Sequence, residues 1–155
     1  MPAIRPATHD DLAALADRLC GLPLFERYGH TPGRLHTLLT GALERHERLL
    51  VYDADGPRGL AWFLVAGTFG IGGYLRLIAV DPTWHRKGTG SELLAAFEAE
   101  TFAASRHAFL LVSDFNTDAQ RFYEHHGYLR VGSLSGLVLP DVAEVIYWKR
   151  RPKTP

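Results

Sequence analysis

A single cysteine, Cys20, leaves no disulfide framework within the chain, which fits a reducing compartment. Cys20 stands in the apolar run Leu19-Cys20-Gly21-Leu22 and reads as a small buried hydrophobe, not a nucleophile. Net charge is absent too: Lys+Arg and Asp+Glu balance at 17 each. No global field attracts a polyanion, so a nucleic-acid role would need a local basic patch. The one basic run, Lys149, Arg150, Arg151 and Lys153, reads as a solvating end. No stretch approaches the roughly 20 apolar residues that span a membrane, and the first residues lack the basic-then-apolar pattern of a secretory signal. A soluble cytoplasmic protein is expected. No repeat, low-complexity tract or long linker divides the chain, so residues 1–155 are expected to form one domain, with its core at about 3–149. What is present suits a core: 46% of the residues are apolar and only 22% charged, which excludes a disordered chain.

The pattern along the chain is mixed. Ala3–Pro6 is a short strand, and Thr8 or His9-Asp10 can cap a helix whose Leu12, Leu15 and Leu19 share one face. Gly21 ends it. A second helix follows Pro32-Gly33 through Leu35, Leu38, Leu39, Ala42 and Leu43. Leu49–Asp53 and Gly59–Ala66 form a hairpin around Asp53-Ala54-Asp55-Gly56-Pro57, and Tyr74–Val80 is a third long strand. Ser91 to about Ala104 is helical, Ala108–Ser113 is a strand, and Asn116-Thr117-Asp118 caps a helix that stops at Gly127. Tyr128–Val138 and Glu144–Lys149 are the last strands. Hairpins in the first half and crossovers in the second imply an α/β (α+β) fold, a mixed sheet with helices on both faces.

The chemistry concentrates between Leu77 and Leu94. An apolar strand stops at Asp81-Pro82, and Thr83-Trp84-His85-Arg86-Lys87-Gly88-Thr89-Gly90 opens directly into a helix at Ser91. A helix N-terminus carries unpaired N–H groups and a partial positive charge. Gly88 and Gly90 let a phosphate approach those groups, and Arg86 and Lys87 add formal charge. The alternative is a simple glycine turn before a helix. Neither G-x-x-x-x-G-K-[ST] nor a G-x-G-x-x-G opening a helix is present. Gly67-Thr68-Phe69-Gly70-Ile71-Gly72 imitates the glycine spacing. It leads into a strand and carries no basic residue, so it reads as a flexible connection.

The segment Val80-Asp-Pro-x-x-His85-Arg86-Lys87-Gly88-Thr89-Gly90 resembles the acetyl-CoA loop of the GNAT (Gcn5-related N-acetyltransferase) family, Q/R-x-x-G-x-G/A after a strand. Gly88 and Gly90 match; His85, followed by Arg86, takes the Gln/Arg position. A second block runs from Ser113 to Tyr128. Asn116, Ala119, Phe122, Tyr123, Gly127 and Tyr128 fall in register with the family's N-x-x-A-x-x-F-Y-x-x-x-G-F/Y. Asn116 and Tyr123 are seven steps of about 100° apart, nearly on one helix face. The resemblance covers most of Ile4–Lys149 and is strongest over 74–128.

The resemblance implies a central, mostly antiparallel twisted sheet of six to seven strands flanked by about four helices. A splayed strand pair, 74–80 with 108–113, would hold acetyl-CoA. Backbone groups of Ile78, Ala79 and Val80 would bind the pantetheine arm, and an N–H there would face the thioester oxygen. His85, Arg86, Lys87, Gly88, Thr89, Gly90 and Ser91 would take the diphosphate. Asn116 would contact the CoA arm or simply cap its helix. Tyr123 would protonate the leaving thiolate or simply pack. The activity implied is acetyl transfer to a primary amine, small molecule or peptide, in a ternary complex. The alternative is a non-catalytic acyl-CoA sensor with the same fold. No carboxylate lies on 74–80, where many relatives carry a base; Arg76 stands there and could bind an acidic acceptor or form a surface pair. Water, Glu26 or Asp114 are the remaining candidates for the base, or none is needed if the amine arrives partly neutral. His125 and His126 point about 100° apart on a helix, so no metal is expected. Phe25, Tyr28, Trp62, Phe63 and Tyr74 line either an acceptor pocket or ordinary core. No nucleic-acid or membrane partner is expected, and a homodimer is compatible with the family.

Overall fold

A computed structural model describes residues 1–154. In chain order the elements are β1 (Ala3–Pro6), α1 (His9–Leu19), α2 (Pro23–Arg27), α3 (Pro32–Glu44), β2 (Arg48–Asp53), β3 (Pro57–Thr68) and β4 (Gly72–Val80). After a 3-10 turn at Pro82–Trp84 come α4 (Thr89–Ala104), β5 (His107–Ser113), α5 (Thr117–His125), β6 (Leu129–Ser135) and β7 (Ala143–Arg150). The seven strands follow the order β1-β2-β3-β4-β5-β7-β6. β4 and β5 run parallel; the β1–β2, β2–β3, β5–β7 and β6–β7 pairs are antiparallel. This is the mostly antiparallel α/β sheet that the sequence implies. The β4–β5 ladder ends at Leu75–Leu110, although β4 runs on to Val80 and β5 to Ser113.

The chain forms two compact units. The first comprises Met1–Leu64 and Leu77–Ala99. Its core joins Leu12, Leu15 and Leu19 of α1, Leu35 and Leu39 of α3, and Val51, Leu60 and Trp62 of the strands. The leucine spacing read from the sequence is therefore a core stripe. Each such buried side chain contributes roughly 1.5–3 kcal/mol. Thr8 caps α1, and Asp11 accepts from its N–H at 2.8 Å and its hydroxyl at 3.1 Å. Arg5 grips the same carboxylate through two 2.8 Å bonds and reaches Asp53 with its Nε at 2.8 Å. Cys20 is half-buried against this core, its thiol 3.6 Å from the Asp17 carbonyl.

The second unit comprises Val65–Arg76 and the chain from Glu100 onward. One side of its strands is buried through Ala108, Leu110, Val112, Val145 and Tyr147. Gly72 and Gly73 sit where the backbone must come close. A Cβ on Gly72 would lie 2.8 Å from the His107 carbonyl, and one on Gly73 would lie 2.5 Å from Thr101 Cγ2. The stretch expected to be a flexible connection is instead a tight hairpin. The Ile71 N–H donates to the Thr68 carbonyl at 3.0 Å, and Phe69 and Gly70 have φ of 51° and 70°. Two left-handed central residues match the right-handed twist of the flanking strands.

Other boundaries shift for local reasons. α2 is an additional helix, opened by Pro23 in its first turn and too short for a 3.6-residue period to register. α4 begins at Thr89, two residues before Ser91. β6 stops at Ser135, short of Val138, because Gly136 turns left-handed at φ 69° and its N–H returns to the Val142 carbonyl at 3.0 Å.

Candidate active site

In the first unit, Ile78, Ala79 and Val80 close β4, and the chain turns at Asp81. The Asp81 carboxylate is buried. It accepts from the Thr83 N–H at 3.0 Å and the Thr83 hydroxyl at 2.9 Å, and it pairs with Arg18 at 3.1 Å and Arg58 at 3.6 Å. Burial alone would raise this carboxyl, but the Thr83 donors and the Arg18 guanidinium outweigh it and hold it below the usual carboxylate range. The Asp81 N–H also donates to the Arg58 carbonyl at 2.8 Å. The Asp-Pro stop seen in the sequence is thus a fixed junction.

Beyond it the turn is exposed at His85, Arg86, Lys87 and Gly88. His85 lies 2.8 Å through Nε2 from the Val80 carbonyl, a bond in which Nε2–H donates. This ring braces the turn. Lys87 lies over the Trp84 ring at 4.7 Å, with Arg58 5.6 Å from the same ring centre. Arg86 and Gly88 both take positive φ, 62° and 81°. Nothing lies within 4 Å of a Cβ built on Gly88, so the space above it is open. The first α4 hydrogen bond runs from the Glu92 N–H to the Gly88 carbonyl at 3.0 Å. The N–H groups of Thr89, Gly90 and Ser91 therefore precede the helical ladder and face its N-terminal end. Open space, backbone donors and two nearby cations fit an anionic diphosphate.

In the second unit, Asn116 caps α5, its Oδ1 accepting from the Ala119 N–H at 3.3 Å. Gln120 steadies the approach to the helix by donating to the Ser113 and Asp114 carbonyls at 3.3 and 3.0 Å. Tyr123 is 8% exposed, with Phe122 and Tyr128 edge-on at 5.1 and 5.7 Å. Burial pushes its phenol well above the ordinary value, so it holds its proton throughout the neutral range. On β7 the Tyr147 hydroxyl donates to Glu124 of α5 at 2.8 Å, fixing the helix that carries Tyr123.

The residues considered for the base separate clearly. Glu26 is exposed on α2. Asp114 is tied to β7, accepting from the Ala143 N–H at 3.1 Å while its own N–H donates to the Ala143 carbonyl at 2.9 Å. Arg76 is exposed on β4. The structure adds a carboxylate that sequence reasoning passed over. Glu144 of β7 is only 6% exposed and receives the Ser113 hydroxyl at 3.2 and 3.3 Å. A signal existed: Glu144 interrupts the apolar strand pattern Ala143-Glu-Val-Ile-Tyr, where a charged residue is unusual. Trp62 and Phe63 are core, whereas Tyr74 is half-buried. His125 and His126 lie edge-on at 5.4 Å, and no group of three metal-ligating side chains occurs among the described residues. Among those residues no helix is long and apolar enough to cross a membrane.

The acetyltransferase (GNAT) domain profile matches residues 45–130. The chain belongs to the GNAT family. Solved structures share its fold at low identity. Ard1 from Thermoplasma volcanium superposes with a TM-score of 0.81 at 23% identity, covering 98% of this chain and 99% of its own. A GNAT-family acetyltransferase from Bacillus cereus ATCC 10987 gives 0.78 at 19% identity, covering 99% of each chain. The yncA protein of Salmonella typhimurium, solved with its cofactor acetyl-CoA, gives 0.71 at 15% identity and covers 100% of this chain and 98% of its own. No curated protein matches at the level of sequence.

Proposed function

We propose that the chain is an N-acetyltransferase that moves an acetyl group from acetyl-CoA to a primary amine, with the whole chain serving as one catalytic domain. The observation that carries this reading is Gly88. It holds a left-handed φ, has open space above it, and leads straight into the first turn of α4. Acetyl-CoA, when bound, supplies the thioester that is attacked.

Each residue then has a defined task. The N–H groups of Thr89, Gly90 and Ser91 hold the diphosphate, with Arg86 and Lys87 contributing charge that salt screens. Backbone groups of Ile78 and Ala79 are left for the pantetheine amides, since the Val80 carbonyl is engaged by His85. An N–H on this strand end stabilises the oxyanion. Asn116 fixes the start of α5 and contacts the CoA arm. The neutral amine nitrogen attacks the acetyl carbon to give the tetrahedral oxyanion, the C–S bond then breaks as the carbonyl re-forms, and the proton shed by nitrogen passes to solvent water, which returns one to Tyr123. Tyr123 donates its phenolic proton toward the departing sulfur; burial keeps the phenol protonated at neutral pH, and the proton moves as negative charge builds on the sulfur.

Calorimetry with acetyl-CoA, followed by free-thiol release against amines, amino acids and peptides, tests the reading. Binding with thiol release for one amine class supports it. Binding without release across the panel favours an acyl-CoA sensor, and absence of binding overturns the proposal.

A further inference from the structure

The side of the second unit's sheet opposite its core carries an apolar hollow with a buried charge beside it. A cavity of about 220 Å³ is lined by Tyr74, Phe109, Leu111, Leu134 and Ile146, with Phe69 at its rim. Leu111 and Ile146 are register partners, and the next rung on the same face is Ser113 with Glu144. Side chains two residues apart on a strand share a face, roughly 7 Å along it. Glu144 therefore stands one rung from the hollow, held by the Ser113 hydroxyl and almost wholly removed from solvent. The Tyr74 phenol senses the surroundings. Burial raises its pKa, the Arg76 charge lowers it and the Glu144 charge raises it. Both charges thus act at this end of the cavity.

The rim is unusual in two ways. Phe69 is 82% exposed although it is a large apolar residue, and its ring meets Phe109 edge-on at 5.7 Å. Its φ of 51° lies in the left-handed region that bulky side chains avoid. A strained, solvent-facing aromatic ring at the mouth of an apolar hollow is unfavourable for the free protein in both respects.

We propose that this face is the acceptor subsite, and that it takes a small primary amine carrying an aromatic or comparably bulky apolar group. The apolar group occupies the hollow under Phe69, and the ammonium lies toward Glu144. This assignment rests on the chain being an amine acetyltransferase. Polyamines fit poorly, since no carboxylate lines the hollow to meet a second ammonium and Arg76 places positive charge beside Tyr74. Glu144 acts here as a binding and orienting residue; the Ser113 hydroxyl keeps its carboxylate aimed along the sheet face.

The test is calorimetric titration of the full chain with phenethylamine and with spermidine, without acyl donor. Thiol release is then measured with the same amines. Saturable binding of phenethylamine, tighter than of spermidine, is expected. Glu144→Gln retains an acceptor for Ser113 and should weaken phenethylamine by about tenfold or more, about 1.4 kcal/mol, with acetyl-CoA affinity unchanged. Phe69→Asn removes the ring and gives the turn an Asn-Gly pair, which suits two left-handed positions. It should lower phenethylamine affinity severalfold while the unfolding midpoint holds or rises, so lost binding cannot be ascribed to misfolding. Absence of amine binding, preference for spermidine, or wild-type affinity in both variants overturns the proposal. Thiol release with polyamines alone overturns it while leaving the transferase reading intact. Phenethylamine binding without thiol release from it or from any other amine overturns the transferase reading and, with it, the acceptor assignment.

Discussion

The turn from Asp81 to Ser91 and the β5–α5–β7 region are built in opposite ways. The turn offers backbone. Apart from the buried Asp81 junction its side chains are mostly exposed, and His85 on the Val80 carbonyl and Lys87 on Trp84 brace the loop itself. The β5–α5–β7 region offers side chains: Tyr123 wedged between rings, Tyr147 on Glu124, and Ser113 on Glu144. A phosphate cradle needs N–H groups in a fixed curve, which many side chains tolerate. Proton transfer and amine recognition need particular atoms, which few substitutions preserve.

Substitutions can break that contrast. The largest effect is expected from Tyr123→Phe. Steady-state kinetics should show kcat reduced by about 10³-fold, within the range of general-acid losses, with acetyl-CoA affinity nearly unchanged. An unchanged kcat would remove Tyr123 from the chemistry. Next is Asp81→Ala, which removes the buried carboxylate at the start of the turn. Deleting a buried carboxylate that partners Arg18 and Arg58 should cost about 3 kcal/mol in urea unfolding. A much smaller loss would show that the turn holds without its junction.

Asp11 supplies a comparison outside both regions. Its carboxyl is lowered from 3.8 to about 2, chiefly by hydrogen bonding from Arg5. A depressed folded pKa means that its stabilisation is complete above about pH 4 and is lost as pH falls through about 2. The difference corresponds to about 2 kcal/mol. Wild type should therefore lose about that much more stability than Asp11→Asn between neutral pH and pH 2. Equal losses would mean that the Arg5 grip contributes nothing. The smallest effect is expected for Gly88→Ala. Strain at positive φ should cost about 1 kcal/mol, with weaker acetyl-CoA binding and an unchanged amine KM.

The same contrast governs what could be read from the sequence. A backbone device leaves local marks. Asp81-Pro82, Gly88-x-Gly90 and the helix after them lie within a few residues, and the structure keeps them as one turn. Asn116 and Tyr123 were legible because one short helix carries both. Glu144 and Ser113 are 31 positions apart and meet only through the β5–β7 register. That register depends on where two strands start and stop, which the residue pattern alone does not fix. The hairpin at Phe69 was obscured for a related reason. Glycines at 67, 70, 72 and 73 suppress the strand pattern, yet Gly72 and Gly73 are required by packing against His107 and Thr101. Helix α2 escaped because five residues show no period.

The junction at Asp81 has a consequence for affinity. Its carboxylate gathers two arginines and the turn's own donors before any ligand arrives. The entropy of ordering residues 81–84 is then spent during folding, and association need not supply it again. Preorganisation of this kind separates the shape of the loop from the identity of most residues along it. Asp81, its two arginines and Thr83 are therefore the positions at which substitution should alter the loop's shape before any ligand is present.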